Sequence, residues 1–181
     1  MSVVVGLVKD GHVYMAADTR GLIGHEKMTV QKLFVSEHKQ WGKWAMGSVG
    51  HMRNAEIANE LDLPTVTKNA LKTTTPQMAV RSYLDSLRDE IMSRGIVEDG
   101  NSAGNDYLIA VQGHLFASYE FYMQEAQVVA IGEGSPYVEG VLWTLQKFCP
   151  YMEPADMVRT AVEATEAFNV GIGGDIDVVV I

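Results

Sequence analysis

Residue 2 is a serine, and removal of the methionine before it would put a hydroxyl and a free α-amine on one amino acid. An α-amino group titrates near about 7.7–8.0, well below a lysine, so part of it is neutral at physiological pH. An N-terminal Ser, Thr or Cys can therefore attack a carbonyl with its own amine as the base. Serine is small enough for routine loss of Met1, so an unblocked Ser2 is the expected mature terminus. Other sources of chemistry are sparse. Cys149 is the sole cysteine, which excludes an internal disulfide, suits a reducing cytoplasm and reads as a small core hydrophobe. His12, His25, His38, His51 and His114 include no pair at i, i+4 spacing and have no cysteine cluster beside them, which argues against a metal enzyme. Gly132-Glu133-Gly134-Ser135 follows a strand pattern and opens a helix pattern. It lacks both the third glycine of a dinucleotide fingerprint and a P-loop lysine, so no nucleotide cradle is expected.

The elements that must position Ser2 begin at once. Val3–Val8 is a nearly unbroken β-branched run, the pattern of a strand buried on both faces. Asp10-Gly11 marks a hairpin turn into a second strand over His12–Ala17. Gly24-His25 reads as a loop, and Lys32–Glu37 with Lys43–Met46 as another hairpin. Asn54–Leu61 has helical composition. Thr75-Pro76 supplies an N-cap and a first-turn proline for a long helix with the stripe Val80, Tyr83, Leu84, Leu87 and Ile91, closed by Gly95. Val97–Asn105 reads as a loop. Strands are expected over Tyr107–Val111, Leu115–Tyr119 and Val128–Ile131. Two helices follow, one from Ser135-Pro136 along Val138, Val141, Leu142 and Leu145. The other starts at Pro154 and runs along Met157, Val158, Ala161, Val162, Thr165 and Phe168. Ile176–Ile181 ends the chain as a dense strand. This order predicts two sheets face to face with helices outside both, in a single domain over residues 1–181.

The chain has 181 residues and a formal net charge of −9. That charge argues against nucleic acid or an anionic membrane as a main partner. No apolar run approaches the ~20 residues of a membrane span, and no leader is expected before Val3.

Taken together these residues resemble the proteasome β-subunit and bacterial HslV family of N-terminal nucleophile hydrolases, over nearly the whole chain. The opening Ser2-Val-Val-Val-Gly-Leu-Val through Ala16-Ala17-Asp18-Thr19-Arg20 resembles the family's start, with Asp18 at the matching distance from Ser2. Lys32 in Val30-Gln31-Lys32-Leu33 matches the active-site lysine. Gly47-Ser48-Val49-Gly50 resembles the glycine turn before the first helix, Ala130–Ser135 the loop before the third, and Gly173-Gly174-Asp175 the final turn. The resemblance implies an α+β fold, the four-layer α-β-β-α sandwich of the N-terminal nucleophile hydrolases. It implies peptide hydrolysis by Ser2, with Lys32 raising the local positive potential, Asp18 pairing with Lys32, and Gly47 donating its N–H to the oxyanion. Arg20, Glu133 and Asn169 fall among the surrounding positions. Gly21, Val30, Phe34, Ala45 and Val49 would line an apolar substrate pocket, with Arg53 as its one charged residue.

Two departures from the family pattern stand out. Glu133 replaces a serine, and Asn169 and Ile172 align with an Asp and a Ser that normally orient the terminal amine. Isoleucine can neither donate nor accept a hydrogen bond, so a non-catalytic ring scaffold is the competing reading. The resemblance further implies a stacked homo-oligomeric ring, hexamer or heptamer, unfolded polypeptide substrates, an ATP-dependent unfoldase partner and a cytoplasmic setting. No cofactor is required. A monovalent cation such as Na+ is a candidate ligand of the backbone carbonyls of Glu166, Asn169 and Ile172.

Overall fold

β-Branched and aliphatic residues begin a strand at the first opportunity, β1 (Val4–Lys9), and Asp10-Gly11 turns the chain into β2 (His12–Asp18). The computed structural model describes residues 2–23, 25–97 and 104–181. Next come β3 (Arg20–Ile23), β4 (Glu26–Thr29), β5 (Leu33–His38) and β6 (Gly42–Val49), then α1 (Met52–Glu60), a single turn α2 (Lys68–Leu71) and the long α3 (Pro76–Arg94). The second half adds β7 (Asp106–Val111), β8 (His114–Tyr119), β9 (Tyr122–Glu125), β10 (Val128–Ile131), α4 (Ser135–Phe148), α5 (Pro154–Glu166) and β11 (Ile176–Val180).

The strands form one sheet in the order β10-β1-β2-β11 and a second in the order β5-β6-β7-β8-β9, with β3-β4 as a separate ribbon; every pairing is antiparallel. Three apolar layers result. Val4, Met15, Ala17, Leu33, Ala45, Leu108, Leu115 and Ile131 fill the space between the sheets. Val5, Leu7 and Ala16 turn outward onto α4 and α5, meeting Val138, Leu142, Met157 and Val162. On the far side Trp44, Met46, Tyr107 and Ile109 meet Ile57, Val80, Tyr83, Leu87 and Ile91 of α1 and α3. This is the expected four-layer α-β-β-α sandwich, and it explains strands without polar alternation: both faces of each sheet are covered.

The long helix starts as its cap residues dictate, with Thr75 Oγ1 accepting from the Met78 N–H. Gly95 does close α3, but in an extended conformation. Glycine is needed there because a Cβ would meet Asn54 Oδ1 at 2.7 Å and Ile91 at 2.9 Å. Several expectations are corrected. His25 does lie in a turn, but it is flanked by two strands that were not expected, β3 and β4; β4 is largely exposed and polar and carries no burial signal. The turn α2 and strand β9 escaped the pattern for the same reason. Helix α5 ends at Glu166, so Phe168 leaves the stripe and lies exposed, stacked on Tyr137. Strand β11 is only partly buried, being a sheet edge, and Cys149 is exposed rather than in the core. Most of the loop expected over Val97–Asn105 lies outside the described residues, as do Met1 and Gly24. No helix among the described residues is long and apolar enough to cross a membrane.

The layer between the sheets sets the relative position of everything attached to β1, β2 and β6. Replacing the fully buried Leu108 by Ala should cost about 2–5 kcal/mol, read as a lowered urea midpoint with an unchanged slope.

Candidate active site

Strand β2 runs its last side chain, Asp18, into the interior, where it is fully buried. Burying a carboxylate is expensive unless it is paired and hydrogen-bonded. Here Asp18 Oδ1 accepts from the Val3 N–H at 3.0 Å and from Lys32 Nζ at 2.7 Å, and Oδ2 accepts from the Gly173 N–H at 3.2 Å. One side chain thus joins the start of β1, the residue before β5 and the turn before β11. Lys32 Nζ makes a second hydrogen bond, at 2.7 Å, to the Arg20 carbonyl. An ammonium has three protons, and the third has no acceptor among the described residues.

Lys32 and Ser2 line the same cleft, of about 590 Å³, which opens between the β3-β4 ribbon and the segment joining β6 to α1. The peptide group that follows Ser2 is held at both of its polar atoms: the Val3 N–H donates to the Asp18 carboxylate, and the Ser2 carbonyl accepts from the Gly134 N–H at 3.4 Å. Gly132 makes this approach feasible. Its φ is +91°, and a Cβ there would strike the Ser2 carbonyl. The loop around Glu133 therefore does abut the terminus. Glu133 itself points outward, exposed and without a hydrogen bond or ion pair among the described residues. Ile172 is fully buried and packs its Cδ1 over Gly134 in the apolar layer beneath α4 and α5.

Two of the expected site residues are misplaced. Gly47 sits inside β6, opposite Leu33 on one side and Leu108 on the other. The Ser48 N–H donates to the Lys32 carbonyl at 2.9 Å. Alternation along a strand therefore turns the Gly47 N–H the other way, into the ladder with β7. Gly47 does not line the cleft; a Cβ there would collide with Val4 of the facing sheet, so it is a packing glycine. The glycine at the cleft is Gly50, three residues on, with φ +118° and an N–H that meets no acceptor among the described residues. Ala45 likewise points into the layer between the sheets, not the pocket. Gly21, Val30, Phe34, Val49 and Arg53 do line the cleft, together with Met28, Met52 and Ile96. Arg53 pairs with Glu56 at 3.3 Å, with both side chains well exposed.

The turn bearing Gly50 rests on polar residues that the sequence pattern did not single out. Asn105 is 2% exposed; its Oδ1 accepts from the His51 N–H at 3.0 Å, and its Nδ2 donates to the His51 carbonyl at 3.1 Å and to Ser48 Oγ at 3.2 Å. Asn54 Nδ2 donates to Asn105 Oδ1 at 3.2 Å and to the Ile96 carbonyl at 2.8 Å. Two buried asparagines therefore clamp the Gly50 turn to the start of α1. The available signal was the asparagine type itself, at the start of an apolar strand for Asn105 and in the first turn of α1 for Asn54; partners so distant in sequence leave no spacing to read.

Arg20 and Asn169 both contribute to the turn before β11. Asn169 Oδ1 accepts from the Gly171 N–H at 3.0 Å. Its carbonyl accepts from the Ile172 N–H at 3.1 Å, and the Ile172 carbonyl accepts from Arg20 Nη1 at 2.6 Å. The Ile172 carbonyl thus already faces the fixed positive charge of the Arg20 guanidinium, which would repel a second cation, so a bound monovalent ion does not fit this arrangement. Among the described residues no cluster of three or more His, Cys, Asp or Glu is placed to hold a metal ion.

No protein-family model matches the chain, and no curated protein matches it in sequence. Solved structures do match in shape. A Thiobacillus denitrificans BPH in complex with epoxomicin is 22% identical with a TM-score of 0.77, the match covering 99% of this chain and 97% of that one. The eukaryotic HslV from Trypanosoma brucei is 15% identical with a TM-score of 0.70, covering 98% of each chain. The Anbu complex from Pseudomonas aeruginosa, solved as a helical assembly, is 16% identical with a TM-score of 0.73, covering 100% of this chain and 81% of that one. At these identities the likeness is one of fold.

Burial is the largest influence on Lys32 and draws its pKa below the ordinary 10.5, against the pull of Asp18. Between the lowered folded value and the unfolded one, the unfolded chain holds the extra proton, so stability rises with pH and the gain is complete above the unfolded value. Urea midpoints measured at rising alkaline pH towards the ordinary lysine value of 10.5 should therefore climb more steeply for wild type than for Lys32→Met. Equal slopes would show that Lys32 titrates as an ordinary surface lysine.

Proposed function

We propose that the chain is a peptidase subunit of the N-terminal nucleophile type, in which Ser2, freed of Met1, attacks the peptide carbonyl. The observation that carries this reading is the buried Lys32–Asp18 pair in the cleft that Ser2 lines. The serine amine takes the hydroxyl proton, directly or through a water, and later returns it to the leaving amine. The Lys32 ammonium lowers the proton affinity of both groups and favours the developing oxyanion. Asp18 keeps Lys32 charged and aimed. The N–H of Gly50, which meets no acceptor among the described residues, takes the oxyanion role first assigned to Gly47. Met28, Val30, Phe34, Met52 and Ile96 give the cleft an apolar part, which supports cleavage after apolar residues, beside a polar part that carries Thr29, Gln31, His51 and the Arg53–Glu56 pair.

The substrates in this reading are unfolded polypeptides, delivered in the cytoplasm by an ATP-dependent unfoldase to a homo-oligomer that encloses the sites. A stacked ring of six or seven subunits is the assembly proposed. The helical assembly of the Pseudomonas Anbu complex makes an open spiral the alternative that particle imaging would separate. Epoxomicin, bound in the Thiobacillus structure, is a natural first inhibitor to try.

Protein with Met1 removed should hydrolyse fluorogenic peptides bearing an apolar residue before the scissile bond, and Ser2→Ala should reduce that rate by at least about 10³-fold. Equal rates in the two proteins would end the proposal. The buried Ile172, placed where the family pattern has a polar relay, favours a second reading, a non-catalytic scaffold subunit. Intact mass of the protein from its native host separates the two: a retained Met1 supports the scaffold, a Ser2 terminus the enzyme.

A further inference from the structure

We propose that the Arg20 guanidinium is the built-in cation of the turn before β11, occupying the place of a bound monovalent ion, and that Arg20 is a positioning residue for Asp18 and Lys32. The inference goes beyond the peptidase reading, because it concerns how the turn is held rather than what the cleft cleaves.

The C-terminal end of α5 leaves carbonyls without intrahelical partners and carries partial negative charge, which Glu166 increases. A cation is favoured there. Arg20 reaches in from β3 and spreads its planar fork over three oxygens of this one segment. Nη1 donates to the Val170 carbonyl at 3.1 Å and to the Ile172 carbonyl at 2.6 Å, and Nη2 donates to Glu166 Oε1 at 2.8 Å. The Arg20 side chain is only 16% exposed. A fork with fixed donors suits such a set, as a lysine's single point charge does not. Gly173 leaves the space: its φ is +140°, and a Cβ would lie 2.5 Å from Nη2 and 2.6 Å from Cζ of Arg20.

The main chain of Arg20 carries the effect to the site. Its N–H donates to the Gly173 carbonyl at 2.8 Å, and the Gly173 N–H donates to Asp18 Oδ2. Its own carbonyl accepts from Lys32 Nζ. One residue thus neutralises the turn with its side chain and ties that turn to the buried ion pair with its backbone.

Thermal melts at equal ionic strength in choline, sodium and potassium chloride test this without any measurement of hydrolysis, so failure of the peptidase reading leaves the result interpretable. Wild type should melt within about 1 °C in all three salts. A rise of about 3–6 °C specific to sodium or potassium at about 0.1 M, the effect of an ion held with a Kd near 10 mM, would overturn the proposal. Arg20→Ala should melt lower than wild type and gain a stabilising response to about 10 mM guanidinium, or to sodium or potassium over choline, that wild type lacks. Arg20→Lys should recover only part of the lost stability. An Arg20→Ala protein that responds to no cation more than wild type does would also overturn it. Should that variant fail to fold, the wild-type salt comparison decides alone.

Discussion

The carboxylate of Asp18 has no access to water, and that constraint organises the whole active end of the molecule. A charge so placed is tolerated only if its oxygens are met on the spot. The groups that meet it come from the first residue of the core, from the segment entering the second sheet and from the turn before the last strand. Elements more than 150 residues apart in sequence are thereby held to one pair of oxygen atoms. Removing either partner of the pair would strand the other charge in the interior, a loss of about 3–5 kcal/mol by comparison with other buried pairs. The ion pair fixes geometry more than it adds stability, since its own desolvation offsets most of the attraction.

That geometry explains how Ser2 is held without the polar relay that the family pattern includes. The peptide group between Ser2 and Val3 is pinned at both polar atoms, its carbonyl by the Gly134 N–H and its N–H by the Asp18 carboxylate. Ile172 then packs against the glycine loop from below and adds only shape. Losing hydroxyls at this level removes a route for protons but not the placement of the terminus. Glu133, which could have compensated electrostatically, points to solvent, and Lys32 is the buried charge that lines the cleft with Ser2.

Much of this was legible in the chain. Burial on both faces of β1, β2 and β7 follows from their unbroken apolar runs, and the Thr75-Pro76 start of α3 from its cap chemistry. Asp18 and Lys32 were found through the resemblance to the N-terminal nucleophile hydrolases, Asp18 by its distance from Ser2 and Lys32 by its place in Val30-Gln31-Lys32-Leu33. What was not legible depends on register or on distant partners. Gly47 and Gly50 belong to one glycine-containing turn motif, and only the pairing of Ser48 with Lys32 shows which N–H is spent in the sheet. Ala45 was assigned to the pocket for want of the same information, since a slip of one residue exchanges the two faces of a strand. The β3-β4 ribbon has exposed, charged residues in β4 and is ordered by its pairing, not by a core, so hydrophobic periodicity could not reveal it. Asn105 and Asn54 are invisible to periodicity because their partners lie more than 40 residues away.

Arg20 shows how a single side chain can move a site from one kind of electrostatic support to another. A turn of carbonyls at a helix C-terminus needs positive charge, and either a captured ion or a neighbouring guanidinium will supply it. A captured ion depends on the medium and leaves when the medium lacks it. A guanidinium is covalently present at every ionic composition and stays charged at any pH the fold survives. It also carries a backbone, and here that backbone bonds to Gly173 on one side and accepts from Lys32 on the other. The same residue therefore answers the charge of the turn and ties the position of that turn to the buried Asp18–Lys32 pair. An arrangement of this kind requires a glycine opposite the guanidinium, because any Cβ at residue 173 would occupy the space that the fork fills.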